Sequence, residues 1–341
     1  MKQYEFSCGI DISSQDFTVT MSKNPGKVLS GPSMFGNNLA GFEEFKLWIK
    51  EHNLPSKQLI LCMEATGVYG EALCYFLHNL GYSVAVEAPL KVKRAFQPDG
   101  HKTDAVDSLQ IAEYAIRFSD ELKLWSPREE IVEQIKSLLS TREQLVKQRT
   151  ASKNILKALE RKVISSKIAM RSLHKVIKNL DNEILNLEKE IEKLIKSQPP
   201  LQQTMSDLKS APGTAMLLAA NLLTITNGFT HTMTARQIAS YLKICPYRHE
   251  SGLSIYKSPR SKKYGPSTMR KLLHLAARSV VTHDRNFRKY YLRKLEEGKP
   301  KKVVLNNVAN KLLKVLCAII RDQTPYNDNY KSINPIFLNN A

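Results

Sequence analysis

From Glu129 to Ser197 the chain contains neither glycine nor proline, and apolar residues recur at helical spacing among the charged ones. Nothing in this stretch breaks a hydrogen-bond ladder, so it reads as long helix. Within it Met170, Leu173, Ile177, Leu180, Ile184, Leu187, Ile191 and Leu194 alternate steps of 3 and 4, the a/d seam of a coiled coil. A rod of this kind divides a chain of 341 residues into parts on either side of it. The seam's partner is either the preceding helix, Glu129 to Ile164, folded back antiparallel, or another subunit. Pro199-Pro200 ends the rod. The expected organisation is an α/β domain over 1–125, a helical coiled-coil region over 126–200 and a mainly α domain over 201–335.

Ahead of the rod, strand and helix signals alternate. Tyr4 to Ile12 and Phe17 to Ser22 read as a hairpin, with a third short strand over Lys27 to Phe35. Leu39 to His52 reads as a helix, Leu59 to Met63 as a strand and Tyr69 to Leu80 as a helix stopped by Gly81. Ser83 to Ala88 follows as a strand and Asp104 to Phe118 as a helix. Antiparallel strands first and βα units afterwards describe a mixed sheet with helices packed on it, the ribonuclease-H-like order.

Four acids fall at telling places in that order. Asp11 lies in Gly9-Ile10-Asp11 and Glu64 in Met63-Glu64-Ala65-Thr66-Gly67, each at the end of an apolar run where an unpaired charge is costly. Asp104 and Asp107, in Lys102-Thr103-Asp104-Ala105-Val106-Asp107, share one face at a helix start. Singly, Asp11 reads as a turn residue, and Asp104 and Asp107 as cap and dipole residues. Together, clustered carboxylates call for divalent cations, and the set suits a Mg²⁺ site, with two ions, for phosphoryl transfer.

The formal charge of +19 is uneven: Lys257 to Lys302 holds 15 Lys or Arg against 3 Asp or Glu. Tyr256, Tyr264, Phe287, Tyr290 and Tyr291 stand among those cations, a combination suited to phosphate contacts and base stacking. A merely solvated basic face is the plain alternative. Cys8, Cys62, Cys74, Cys245 and Cys317 are scattered without a C-x-x-C pair, which argues against a disulfide framework or zinc module. No signal-peptide segment and no apolar stretch of membrane length is expected, so a reducing cytoplasm is the default.

In the third region Ser210-Ala211-Pro212-Gly213-Thr214-Ala215 precedes the apolar run Met216 to Ile225, resembling a helix-hairpin-helix turn that offers backbone N–H groups to phosphate. Further on, Ser251 precedes Gly252 in a loop rich in Arg, His and Lys. It reads either as an activated hydroxyl or as an ordinary Ser-Gly turn.

Taken in order, the G-I-D strand, M-E-A-T-G, K-T-D-A-V-D, the P-G hairpin and P-x-x-x-E-S-G resemble the DEDD transposases of the IS110 family, which include the Piv-type DNA invertases. The resemblance runs from Asp11 to about Leu316. It implies a RuvC-like, ribonuclease-H-fold domain, a coiled coil and a C-terminal transposase domain. By resemblance Asp11, Glu64, Asp104 and Asp107 are the metal tetrad and Ser251 the nucleophile, forming a phosphoserine link to DNA. It further implies donor and target DNA, a structured bridge RNA, a homodimer assembling to a tetramer, and a bacterial, nucleoid-associated location. The chain departs from the family in Lys243-Ile244-Cys245-Pro246, where an apolar Gly-Leu-x-Pro is usual, and in lacking the hairpin's second glycine. Ser254, Ser258 and Ser261 are fallback nucleophiles, and Arg248 and His249 candidate helpers in charge or proton transfer. The rival readings are a RuvC-type structure-selective endonuclease acting by hydrolysis, a sugar-kinase-like ATPase and a non-catalytic nucleic-acid-binding protein.

Overall fold

The structure, a computed structural model, describes residues 4–24, 26–96, 103–229, 233–251, 255–261 and 265–327, with backbone alone for 248–251 and 255–260. The chain falls into two compact units, Met1–Pro127 and Arg128–Ala341.

The first unit is built on strands β1 (Phe6–Ile12), β2 (Asp16–Lys23), β3 (Lys27–Gly36), β4 (Leu59–Glu64) and β5 (Ser83–Glu87), with helices α1 (Leu39–Glu51), α2 (Glu71–Asn79), α3 (Pro89–Ala95) and α4 (Asp104–Arg117). The sheet order is β3-β2-β1-β4-β5. The β1–β2 and β2–β3 pairs are antiparallel, and β1–β4 and β4–β5 parallel. Three antiparallel strands continued by two parallel ones is the ribonuclease-H-like arrangement that the strand signals lead one to expect.

Strand alternation sorts the side chains onto two faces. Cys8, Ile10 and Ile12 join Phe17, Val19, Leu61 and Met63 in a core covered by Phe42 and Phe45 of α1 and Leu73 and Leu77 of α2. The opposite face carries Ile60, Cys62 and Ala85 against Val92 of α3 and Ile111, Tyr114 and Ala115 of α4. Helix α4 starts where it does because the Thr103 hydroxyl accepts the Val106 N–H at 3.3 Å. Helix α3 was not expected. It is 7 residues long, is opened by Pro89, and carries Lys91, Lys93 and Arg94 in place of a readable apolar stripe.

In the second unit α5 (Glu130–Glu160) and α6 (Lys167–Lys196) lie antiparallel, as the ion pairs Arg142–Glu188 (2.6 Å) and Arg149–Asp181 (2.7 Å) require. The seam residues Ile177, Ile184 and Ile191 are buried, and α5 of the same chain covers them. At the other end of the pair Ile135, Leu139, Ile191 and Ile195 enter one core with α7 (Pro199–Ser210), α8 (Met216–Ile225), α9 (Ala235–Tyr241), α10 (Ser267–His283), α11 (Arg285–Glu296) and α12 (Lys301–Asp322). Between α9 and α10 lies a hairpin, β6 (Tyr247–Ser251) and β7 (Ile255–Arg260).

Helix α12 corrects the expectation that no apolar stretch reaches membrane length. By length and composition its 22 residues could cross a bilayer. Its Val308, Leu312, Leu313 and Leu316 are fully buried among the helices of this unit, and a core helix passes the same test.

Candidate active site at the carboxyl edge of the sheet

Parallel pairing aligns the ends of three strands. Ile10 of β1 stands beside Met63 of β4, so the next residue, Asp11, stands beside Glu64. Glu64 in turn is in register with Glu87 of β5. All three acids share the face that carries Gly9, Cys62 and Ala85, and adjacent strands lie about 4.8 Å apart. At about 5 Å, like charges repel by about 3 kcal/mol at an effective dielectric of about 20. Glu87 is buried and Lys91, four residues on in α3, holds it at 2.8 Å. Asp11 and Glu64 are half-buried.

Helix α4 brings the aspartates to the same edge. The Gly9 position is so close to α4 that an added Cβ would stand 2.0 Å from the Ser108 carbonyl oxygen and 2.2 Å from the Ala112 nitrogen. Glycine is therefore required in β1 by close approach rather than by its φ. The contact is clamped on either side: Ser7 Oγ donates to the Ala112 carbonyl (2.8 Å), and the Thr20 and Ser108 hydroxyls share a hydrogen bond (2.8 Å). Ser108 over Gly9 and Ala112 toward Ser7 means that α4 runs antiparallel to β1. One turn back from Ser108, about 6 Å, reaches Asp104, while two residues along β1, about 7 Å, reach Asp11. Asp107 lies one turn before Ile111, on the stripe that packs over Cys62. Asp107 is half-buried and Asp104 exposed, and residues 97–102 leading to them lie outside the described residues.

Register thus sets Asp11 beside Glu64, and the packing of α4 on β1 points its first turn, with Asp104 and Asp107, toward the same edge. Among the described residues, no three His, Cys, Asp or Glu side chains already stand in a group that could hold a metal. The donor chemistry nonetheless fits a hard divalent cation, being carboxylate oxygen throughout. Cys62, two residues before Glu64 on β4, is fully buried. Burial first, then Glu87 and Glu64, hold its thiol far above the ordinary range. Glu87 and Lys91 were missed in the sequence, although Ser83 to Glu87 ends in an acid as Leu59 to Glu64 does.

In the second unit Ser251 ends β6, opposite Ile255, rather than lying in a free loop. Tyr247, Ile255 and Tyr256 are strand formers on either side of Gly252, which explains the hairpin. The side chains of Arg248, His249, Ser251 and Ser258, and the whole of Ser254, lie outside the described residues; Ser261 is exposed. The Pro212-Gly213 turn joins α7 to α8 with Gly213 at φ +72°, and a Cβ there would meet Val280 Cγ1 at 2.7 Å. On α11 the Tyr290 ring has Lys311, Arg293 and Lys294 at 4.6, 5.6 and 5.9 Å. Burial, then the Arg293 charge, holds the Lys311 ammonium below its ordinary pKa.

Mixed sheet and carboxylate edge together define a ribonuclease-H-like unit with an acidic site. Residues 8–163 match the DEDD transposase model of the IS110 family, described as "Transposase", and residues 205–292 match "Transposase IS116/IS110/IS902 family". The chain belongs to the IS110 family of transposases. It is similar to the "Pilin gene-inverting protein" of Moraxella lacunata, 29% identical over 301 residues, 86% of this chain and 89% of that one. It is also similar to the "Probable family 20 transposase" of Pseudomonas aeruginosa, at 26% over 303 residues, 79% and 87% of the two chains. Among solved structures, Thermus thermophilus RuvC in complex with a Holliday junction covers 35% of this chain and 99% of its own, at 13% identity and a TM-score of 0.29. The fold assignment rests on strand order, not on that score.

Proposed function

We propose that the protein is a DNA transposase or site-specific recombinase that cuts and rejoins DNA strands, with Asp11, Glu64, Asp104 and Asp107 as its metal-binding acids and Ser251 as its nucleophile. The observation that carries the reading is Asp11 beside Glu64 at the edge of a ribonuclease-H-like sheet, with the amino end of α4 packed toward that edge, in a chain of this family. The four carboxylates would hold Mg²⁺, two ions in the reading made from the sequence. The ions supply positive charge for the scissile phosphate and for the attacking and leaving oxygens.

The rest falls to the chain. The Ser251 Oγ–P bond forms as the P–O3′ bond breaks, the hydroxyl proton is given up, and the departing 3′ oxygen takes one. The phosphodiester becomes a phosphoserine ester plus a free 3′-hydroxyl, so no bond energy is lost and rejoining needs no nucleotide cofactor. Arg248 and His249 are close enough in sequence to serve the proton or the phosphate charge. The cations on α11 and the α8 amino terminus offer phosphate contacts for DNA and for a guiding RNA. A homodimer assembling to a tetramer completes the proposal.

Covalent trapping tests it. Protein, Mg²⁺, labelled junction DNA and RNA from the flanking non-coding segment are run on a denaturing gel, with Ser251→Ala and Asp11→Ala beside the wild type. A DNA-linked band lost in both variants is the expected result. Cleavage that survives Ser251→Ala, with no linked band, would establish hydrolysis and remove the serine from the mechanism.

A further inference from the structure

The second unit holds a cavity of about 480 Å³, lined by the base of α5 together with α8, α9 and the start of α10. Its floor is apolar, with Leu139 and Met269 buried and Ile225 beside them. Tyr241 lines it too and is 51% exposed, a large ring left partly in solvent. Arg128, Lys136 and Lys147 supply the charge. Two carboxylates oppose them: Glu143 is taken by Lys271 at 3.0 Å, and Glu133 is shared by Lys136 (3.1 Å) and Arg128 (3.4 Å). Four cations against two acids leave the site net positive. Lys147 makes no ion pair among the described residues.

We infer that this cavity binds one unpaired nucleotide, its base stacked on Tyr241 over the apolar floor and its phosphates against Lys136 and Lys147. The inference deepens the nucleic-acid reading above and rests on it. A free anion has no use for the apolar floor, and an apolar ligand none for the cations; a nucleotide needs both. The volume lies in the range of about 300–1,000 Å³ that small-molecule sites occupy. Lys136, Ser140, Glu143, Gln144 and Lys147 line the cavity at steps of 4, 3, 1 and 3 on α5, so they form one stripe. Over those 12 residues the stripe is about 16 Å long, enough to track a strand beyond a single nucleotide. Amides stand at the wall for a base edge: Asn221, whose nitrogen donates to the Leu217 carbonyl at 2.8 Å, keeps an acceptor oxygen, and Gln144 offers both groups. Unpaired nucleotides occur in RNA and in opened DNA alike, and the site's chemistry serves both.

The test uses the full chain and short single-stranded oligonucleotides of one sequence, as RNA and as DNA, carrying 2-aminopurine, with the paired duplex as a third probe. Tyr241→Ala should weaken single-strand binding roughly 5- to 150-fold, the loss of one stacked base, and remove the fluorescence change. Lys136→Ala with Lys147→Ala should flatten the slope of log K against log salt by about 1.4, or about 0.7 per phosphate on a single strand. Duplex binding should change less in both, and circular dichroism should match the wild type. The tighter of the two single strands identifies the source of the nucleotide. If both variants hold single strands as the wild type does, the cavity is not a nucleotide site, while the wider reading stands. Should the wild type bind no nucleic acid at all, the wider reading falls and takes this one with it.

Discussion

Replacing Gly9 by alanine tests the contact that brings the aspartates to the sheet. A Cβ at Gly9 stands 2.0 Å from the Ser108 oxygen, and ordinary contact begins at 3.4 Å, so α4 must retreat by about 1.4 Å. The obstructing atoms are helix backbone and cannot swing aside as a flexible side chain would. Overpacking of this kind costs about 1–3 kcal/mol, and here the upper end applies. Both tryptophans report on this unit alone: Trp48 packs against Phe35 and Phe45, and Trp125 meets the Tyr75 ring at 5.0 Å. With a urea slope of about 1–3 kcal/mol per molar, a loss of about 3 kcal/mol lowers the tryptophan-detected midpoint by about 1–3 M. Activity should fall further than stability, because a misplacement of about 1 Å can cost about 100-fold. Strand cleavage measured well below the new midpoint should therefore drop by about 100-fold. An unchanged midpoint in Gly9→Ala would refute the close approach of α4 to β1. A shifted midpoint with full cleavage would separate α4 from the chemistry.

Other perturbations read out different parts. Asp11→Asn and Asp107→Asn should each cut metal-dependent strand cleavage by about 100- to 1,000-fold, the scale of losing one preorganised charge partner, with the tryptophan transition little changed. Ile191→Ala empties a fully buried seam position, so the helical signal of the second unit should weaken by about 2–5 kcal/mol in denaturation, while tryptophan fluorescence keeps its midpoint. The Glu87 hydrogen bond raises the Lys91 pKa, so its stabilisation is complete below about pH 10.4 and fades as pH climbs through the raised value. Glu87→Gln should therefore lower the midpoint near neutral pH and flatten its decline in alkali, as urea unfolding at several pH values would show. Thiol labelling of the native protein at mildly alkaline pH should reach Cys245 well before Cys74, whose pKa burial raises to about 12. Equal rates would contradict the burial of that thiol.

The elements legible in the sequence are those whose causes are local. Leu59 to Met63 declares itself by an unbroken apolar run, and α4 by Asp104 and Asp107 at its start, although the cap proves to be Thr103 and not Asp104. The seam of α6 was equally plain, yet its partner was not, because alternating steps of 3 and 4 say only that an apolar face must be covered. Arg142 with Glu188 and Arg149 with Asp181 supply what periodicity lacks, a register against α5. Ser251 read as a loop residue because its strand depends on pairing with Ile255 to Arg260, which a Ser-Gly dipeptide hides.

Glu87 shows the same limit at the site itself. Only the parallel register with β4 makes it the equivalent of Glu64, at the same height on the same face. What separates the two glutamates is the residue four places on. Glu87 is followed by Lys91 in α3, whose ammonium neutralises it and fixes it within the fold. Glu64 is followed by Ala65, Thr66 and Gly67, with Val68 in the corresponding place, and is less buried than Glu87. Of two acids set side by side, Glu87, buried and held by Lys91, serves the structure. The other, half-buried at the end of β4, is the glutamate that goes with Asp11, Asp104 and Asp107 in the proposed metal set.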